Sequence, residues 1–267
     1  MRVAAVGRRW GLSAVSSSGL ITRGVREHSG CGGGPSKGTL KDLADVFIQN
    51  EEWRQAKLID DPNFFDRLKS NHDPKYLWIG CADARVPANQ LMGEEAGTVF
   101  VHRNIGNQVL SSDMSMMSTV QYAVEFLKVP HIIVCGHYDC GAVKAASSNR
   151  NHGPSLEHWL ASIRDVRRTH RQEILGLSSE EERHRRLVEL NVLEGCLSVF
   201  KTPVVQQRRV ETHEDPAYPF TMPRIHPLVY DPGLGRLERL KVNLEAYLDE
   251  FGNIYDMYGK GATGDSI

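Results

Sequence analysis

No run of apolar residues in this 267-residue chain is long enough to cross a bilayer, which argues against an integral membrane protein. Charge of either sign is not in excess, because 32 Lys and Arg stand against 33 Asp and Glu for a formal net charge of −1. No basic stripe with interleaved aromatics occurs either, so nucleic acid is not an expected partner. Cysteine is scarce, five residues at irregular spacings. That excludes a secreted disulfide scaffold and favours a reducing compartment with some thiols on metal. The absence of any Cys-x-x-Cys pair removes the usual thiol redox motif. There is no internal repeat, and no low-complexity tract beyond a glycine joint, Gly30-Cys-Gly-Gly-Gly-Pro-Ser.

Acid is missing from one end only. Residues 1–26 contain Arg2, Arg8, Arg9, Arg23 and Arg26, several serines, and neither Asp nor Glu. Val3, Val6 and Trp10 would share one helical face, with Arg2 and Arg9 on the other. An Arg-rich, Ser-containing, acid-free amphipathic start is the signature of an organelle transit peptide. The mitochondrial matrix is the expected address, with a chloroplast as the alternative. Loss of those five positive charges takes the balance from −1 to −6, a mildly acidic mature protein. Residues 1–30 are thus read as transit peptide and flexible joint, and 31–267 as one catalytic domain.

The remaining pattern alternates strands with helices. Apolar spacing at Leu43, Val46, Phe47 and Trp53 predicts one or two amphipathic helices over Leu40–Ile59, an N-terminal helical arm. Short apolar runs predict strands at Tyr76–Gly80, Thr98–His102 and His131–Gly136. Pro87 suits the first position of a short helix, Ala88–Met92, stopped by Gly93. Capping residues after Ser112 open a helix that Pro130 ends, and another should run from Cys140 to about Ser147. Two Glu/Arg-rich segments, Ser155–His170 and Ser179–Lys201, read as helices with solvated faces. Pro203-Val-Val and Leu228-Val-Tyr are expected as short strands, Glu211–Pro227 as a surface insertion, and Leu234–Phe251 as a helix. The whole predicts an α/β fold, a largely parallel central sheet flanked by helices.

Two clusters carry the chemistry. Cys81-Ala-Asp83-Ala-Arg85 follows the first buried strand, and Cys135-Gly-His137-Tyr-Asp-Cys140-Gly follows the third. In such sheets ligands sit at the carboxyl ends of strands, where both clusters fall. Cys81, His137 and Cys140 supply three ligands suited to Zn²⁺, and three protein ligands leave a fourth tetrahedral position for chemistry. Asp83 could reach the metal, but Arg85 in the same turn can hold its carboxylate through paired hydrogen bonds. An ionised Asp83 could then accept a proton from a zinc-acidified water. Two thiolates neutralise the ion more than imidazoles do, so alkaline conditions should favour activity. Cys135 and Cys196 read as small buried hydrophobes, and Cys31 as a bystander.

Cys-x-Asp-x-Arg-Val-Pro, Phe100-Val-His-Arg-Asn-Ile-Gly-Asn, Val120-Gln-Tyr-Ala-Val and Cys-Gly-His-x-x-Cys-Gly together resemble the β-class carbonic anhydrases. The resemblance spans roughly residues 40–250 and is dense from 76 to 146. It implies reversible hydration of CO₂ to bicarbonate and a proton, one Zn²⁺ per subunit on Cys81, His137 and Cys140, and an Asp83–Arg85 catalytic dyad. It also implies a homodimer or higher even oligomer. Phe100, Ile105 and Tyr122 match the family's apolar CO₂ pocket near the subunit boundary, although periodicity alone reads all three as core. Trp78, Arg103 and Tyr230 match a non-catalytic bicarbonate effector pocket found in one subgroup. Trp78 lies three residues before Cys81, so strand parity turns it to the opposite face. The chain departs from many relatives in its late helix, where Asn191-Val-Leu-Glu is followed by Gly195. Rival readings are a bicarbonate- or CO₂-sensing binding protein with a vestigial site, and a COS or CS₂ hydrolase on the same scaffold.

Overall fold

A computed structural model describes residues 43–70 and 72–241, with 246, 254, 255 and 257. The expected transit segment lies outside these residues. The chain divides between Ala56 and Lys57. Helix α1 (Leu43–Asp60) is one uninterrupted helix whose side chains are exposed through Ala56. Lys57 pairs with Glu95 at 2.6 Å.

Five strands form the sheet of the larger unit: β1 (Tyr76–Cys81), β2 (Val99–Asn104), β3 (His131–His137), β4 (Arg224–Asp231) and β5 (Arg236–Arg239). Their order is β2-β1-β3-β4-β5, parallel except for β5. The expected largely parallel sheet is therefore present. β1 and β3 are buried almost throughout, as strands covered on both faces must be, and that is why they read as unbroken apolar runs.

The connecting helices are α2 (Phe64–Ser70), α3 (Ala88–Met92), α4 (Met114–Gln121), α5 (Gly141–Ser147), α6 (Pro154–Thr169), α7 (Arg171–Leu175), α8 (Glu180–Phe200) and α9 (Pro203–Glu214). Asp113 caps α4 by accepting from the backbone N–H of Ser115 and Met116. The end of α4 widens into a π-turn over Tyr122–Phe126, where Leu127 N–H reaches Tyr122 O at 3.0 Å. Pro87 occupies the N-cap of α3, one place earlier than expected, and Gly93 ends the helix at φ 65°.

Side chains of β1, β3 and β4 divide by parity. Leu77, Ile79, Ile132, Val134, Ile225 and Val229 join the main core with α5, α6 and α8. Trp78, Ile133 and Cys135 point the other way, into a smaller cluster with Val86 and Ala88. The strand-parity expectation for Trp78 is met.

Three sequence expectations need correction. Pro203-Val-Val is the start of α9, with Pro203 at a position where its missing N–H costs nothing. Glu211–Pro227 is no insertion, since it ends α9 and begins β4, leaving only 215–223 as a connection. Leu234–Phe251 is not one helix, because β5 takes Arg236–Arg239; most residues beyond Lys241 lie outside those described. α8 is the amphipathic helix expected over Ser179–Lys201. Its Glu/Arg-rich start is solvated, but eleven residues from Leu187 to Phe200 are buried. Each Leu, Val or Phe so buried contributes roughly 1.5–3 kcal/mol.

Candidate metal centre

β1 and β3 are adjacent and in register from Tyr76↔His131 to Gly80↔Cys135, so their carboxyl ends bring Cys81 beside His137. Cys140 is the N-cap of α5, delivered by a tight turn in which Asp139 takes φ 57°. The ligand atoms of Cys81, His137 and Cys140 all lie within 4.8 Å of one another, and all three residues are buried. The two sulfurs are 4.0 Å apart.

Each donor is prepared for a cation. His137 Nδ1 lies 2.9 Å from its neighbour's carbonyl, Tyr138 O, which places the proton on Nδ1 and leaves Nε2 as the acceptor. That Nε2 is buried and has no hydrogen-bond partner. The hydrogen bond with Cys140 draws the Cys81 thiol well below its usual range, against burial, with help from His137 and the backbone N–H groups of Asp83 and Gly106. Cys140 moves upward, through its bond to Cys81 and its burial, while the N–H groups of Val143 and Ala142 oppose that shift. An orphaned imidazole nitrogen facing two thiols, with amide donors behind them, fits a thiophilic cation. By contrast, burial pushes Cys135 and Cys196 up, as expected for thiols that only pack.

Asp83 lies beside the donors, its Oδ2 3.8 Å from His137 Nε2. Arg85 donates Nε to Oδ1 at 3.0 Å and Nη2 to Oδ2 at 2.8 Å, and its backbone N–H reaches Oδ1 at 2.9 Å. The Arg85 side-chain bonds hold this carboxyl well below the usual carboxylate range, outweighing its partial burial. Arg85 is itself fixed by Asp139 O at 3.3 Å. The turn closes through Val86 N–H on Asp83 O at 3.0 Å.

Arg103 has a structural use that the sequence did not show. It has no ion pair among the described residues. Instead its Nε donates to Cys81 O at 2.8 Å and its Nη2 to Asp83 O, bracing the ligand loop. Trp78 and Tyr230 share the smaller cluster, with Trp78 fully buried and its Nε1 unpartnered. Phe100 is half-buried and its ring lies 5.8 Å from that of Tyr122. Ile105 and Tyr122 are not core, being 46% and 45% exposed. Sequence reasoning missed the carbonyls of Tyr138 and Asp139, since backbone roles leave no side-chain signature. It also missed Asn191, whose amide donates to Gly106 O at 2.9 Å and ties α8 to the loop behind Cys81.

Fold and donor set together define a Cys–His–Cys metal site at the carboxyl edge of an α/β sheet. The carbonic anhydrase family profile matches residues 76–236. A carbonic anhydrase of Emericella nidulans is 45% identical over 79% of this chain and 89% of its own length. One from Pseudomonas aeruginosa is 32% identical over 75% and 87%. Among solved structures, one of two tetrameric β-carbonic anhydrases of Sordaria macrospora is 34% identical, with a TM-score of 0.69 over 75% of this chain and 97% of that one. A β-carbonic anhydrase of Aspergillus fumigatus gives 34% and 0.68, over 78% and 98%. The chain belongs to the carbonic anhydrase family, in its β class.

Proposed function

We propose that Cys81, His137 and Cys140 hold one zinc ion per chain, at which this carbonic anhydrase hydrates carbon dioxide reversibly to bicarbonate and a proton. The observation that carries the ligand assignment is the buried, unpartnered Nε2 of His137 facing the two thiols. When bound, the ion would supply Lewis acidity and lower the pKa of a ligated water. Asp83 is ionised and faces the donors, so it is placed to accept a proton and to orient a hydrogen-bond donor. Arg85 keeps that carboxylate turned and charged. Phe100, Tyr122 and the half-exposed Ile105 offer apolar surface suited to CO₂. The intact Asp83–Arg85 pair supports an enzyme over a vestigial sensor.

Stopped-flow CO₂ hydration, read beside metal content, tests this. Asp83→Ala should keep its zinc and lose about 10²-fold or more in kcat. Cys140→Ala should lose both zinc and activity. Full activity in Cys140→Ala would remove the ligand assignment.

A bicarbonate effector pocket around Trp78, Arg103 and Tyr230 is favoured by one feature, the buried donor Nε1 of Trp78 with nothing to bond. The acid-free, Arg-rich residues 1–26 support import into the mitochondrial matrix. Residues 1–30 fused to a fluorescent protein should direct it there, and diffuse or plastid fluorescence would contradict that address.

A further inference from the structure

Away from the metal centre, the end of α5, the second half of α6 and α7 enclose a cavity of about 300 Å³. Arg164, Arg167, Arg168 and Arg171 line it, over an apolar floor that includes Ala146 and Ile174. The four arginines stand at i, i+3, i+4 and i+7, so they share one side of the α6–α7 run. Like charges at that spacing repel one another. No acid lines the cavity.

Two of the four charges are matched from outside it. Arg164 pairs with Glu157 at 2.7 Å, and Arg168 with Asp165 at 3.1 Å. Arg167 and Arg171 have no ion-pair partner among the described residues. The group therefore carries two uncompensated positive charges. Part of it is also anchored. Arg167 Nη1 donates to Ser147 O at 3.1 Å, and Arg164 Nη2 to Ser148 O at 3.5 Å. The Nε of Arg164 is buried and has no partner. Guanidinium groups already tethered lose less entropy on taking a ligand.

From this geometry we infer a second ligand site, one that binds a small organic dianion. Its carboxylate or phosphate groups meet Arg167 and Arg171 through paired hydrogen bonds, and its carbon skeleton lies on Ala146, Ile174 and Leu175. Two excess charges set the ligand's charge, the apolar floor its organic character, and the volume its size at the lower end of small-molecule pockets. The site does not rest on the zinc assignment, since no metal-site residue lines it.

The test is isothermal titration calorimetry on the full, metal-loaded chain at fixed ionic strength. Phenyl phosphate and isophthalate probe the two head groups, and benzoate serves as the single-charge reference. Wild type should bind at least one dianion about tenfold more tightly than benzoate, and the tighter dianion names the head group. Arg167→Gln with Arg171→Gln should weaken that binding at least tenfold. Leu175→Asp should do the same by placing an acid at the floor while all four arginines remain. Binding at the metal centre is not altered by these substitutions, so the loss reads the cavity alone. No dianion binding to wild type, parity with benzoate, or equal binding by wild type and both variants would each overturn the site.

Discussion

The carboxylate of Asp83 takes two bonds from the Arg85 side chain and one from its backbone N–H, so its charge and direction are fixed by the same neighbour. That pairing was legible in sequence because the two residues share a turn. The histidine pair at the other end of the sheet was not, because it joins residues 95 apart. His226 Nε2 lies 3.1 Å from His131 Nδ1. Burial, with His131, Arg239 and Arg224 nearby, holds His226 down to about 4. Burial and Arg224 also lower His131. The unfolded chain takes this proton near 6.5 and the folded chain only near 4, so between those values the unfolded state binds more protons. Stability is full above about 6.5 and is lost as pH falls towards and through 4. Urea unfolding should show His226→Asn losing about 2 kcal/mol less than wild type between pH 7.5 and 5.0. Equal losses would assign the acid sensitivity elsewhere.

At the scale of elements, β1, β3 and their ligand turns were readable because buried parallel strands and tight turns leave local marks. β4 was not. Pro227 and His226 disguise the first half of a strand whose alternate residues, Ile225, Pro227, Val229 and Asp231, are buried. Likewise Pro203 looked like a strand boundary and is a helix start, which β-branched Val204 and Val205 made hard to see. The burial of α8 was hidden because its polar first two turns dominate its composition. This helix lies close on β3. A Cβ at Gly136 would sit 2.7 Å from Val192 Cγ2 and 3.2 Å from Val188 Cγ1, one residue before the ligand His137. Gly136→Ala should therefore cost about 1–3 kcal/mol, by overpacking, and lower both Tm and zinc retention. A variant with unchanged Tm would mean that α8 shifts freely.

Taken as a whole molecule, the chain leaves apolar side chains uncovered near its edge strand. Ile105, Tyr122 and Phe126 are 46%, 45% and 63% exposed, and the Tyr122 and Phe126 rings stack at 5.5 Å. Isolated exposed apolar residues are ordinary, whereas an exposed aromatic stack calls for a cover. The proposal that a second copy supplies it predicts an even oligomer for wild type by analytical ultracentrifugation. Tyr122→Lys with Phe126→Lys should shift it towards monomer, and a monomeric wild type would sink the idea.

Cys81 and Cys140 are 59 positions apart, and only the pairing of β1 with β3 makes them neighbours. A slip of one residue in that pairing would turn Cys81 to the opposite face of the sheet. The donor set is thus a checkpoint on assembly, because a chain with the wrong strand alignment has no three-ligand trap to fill. Metal occupancy after synthesis would then count correctly threaded molecules as well as competent ones.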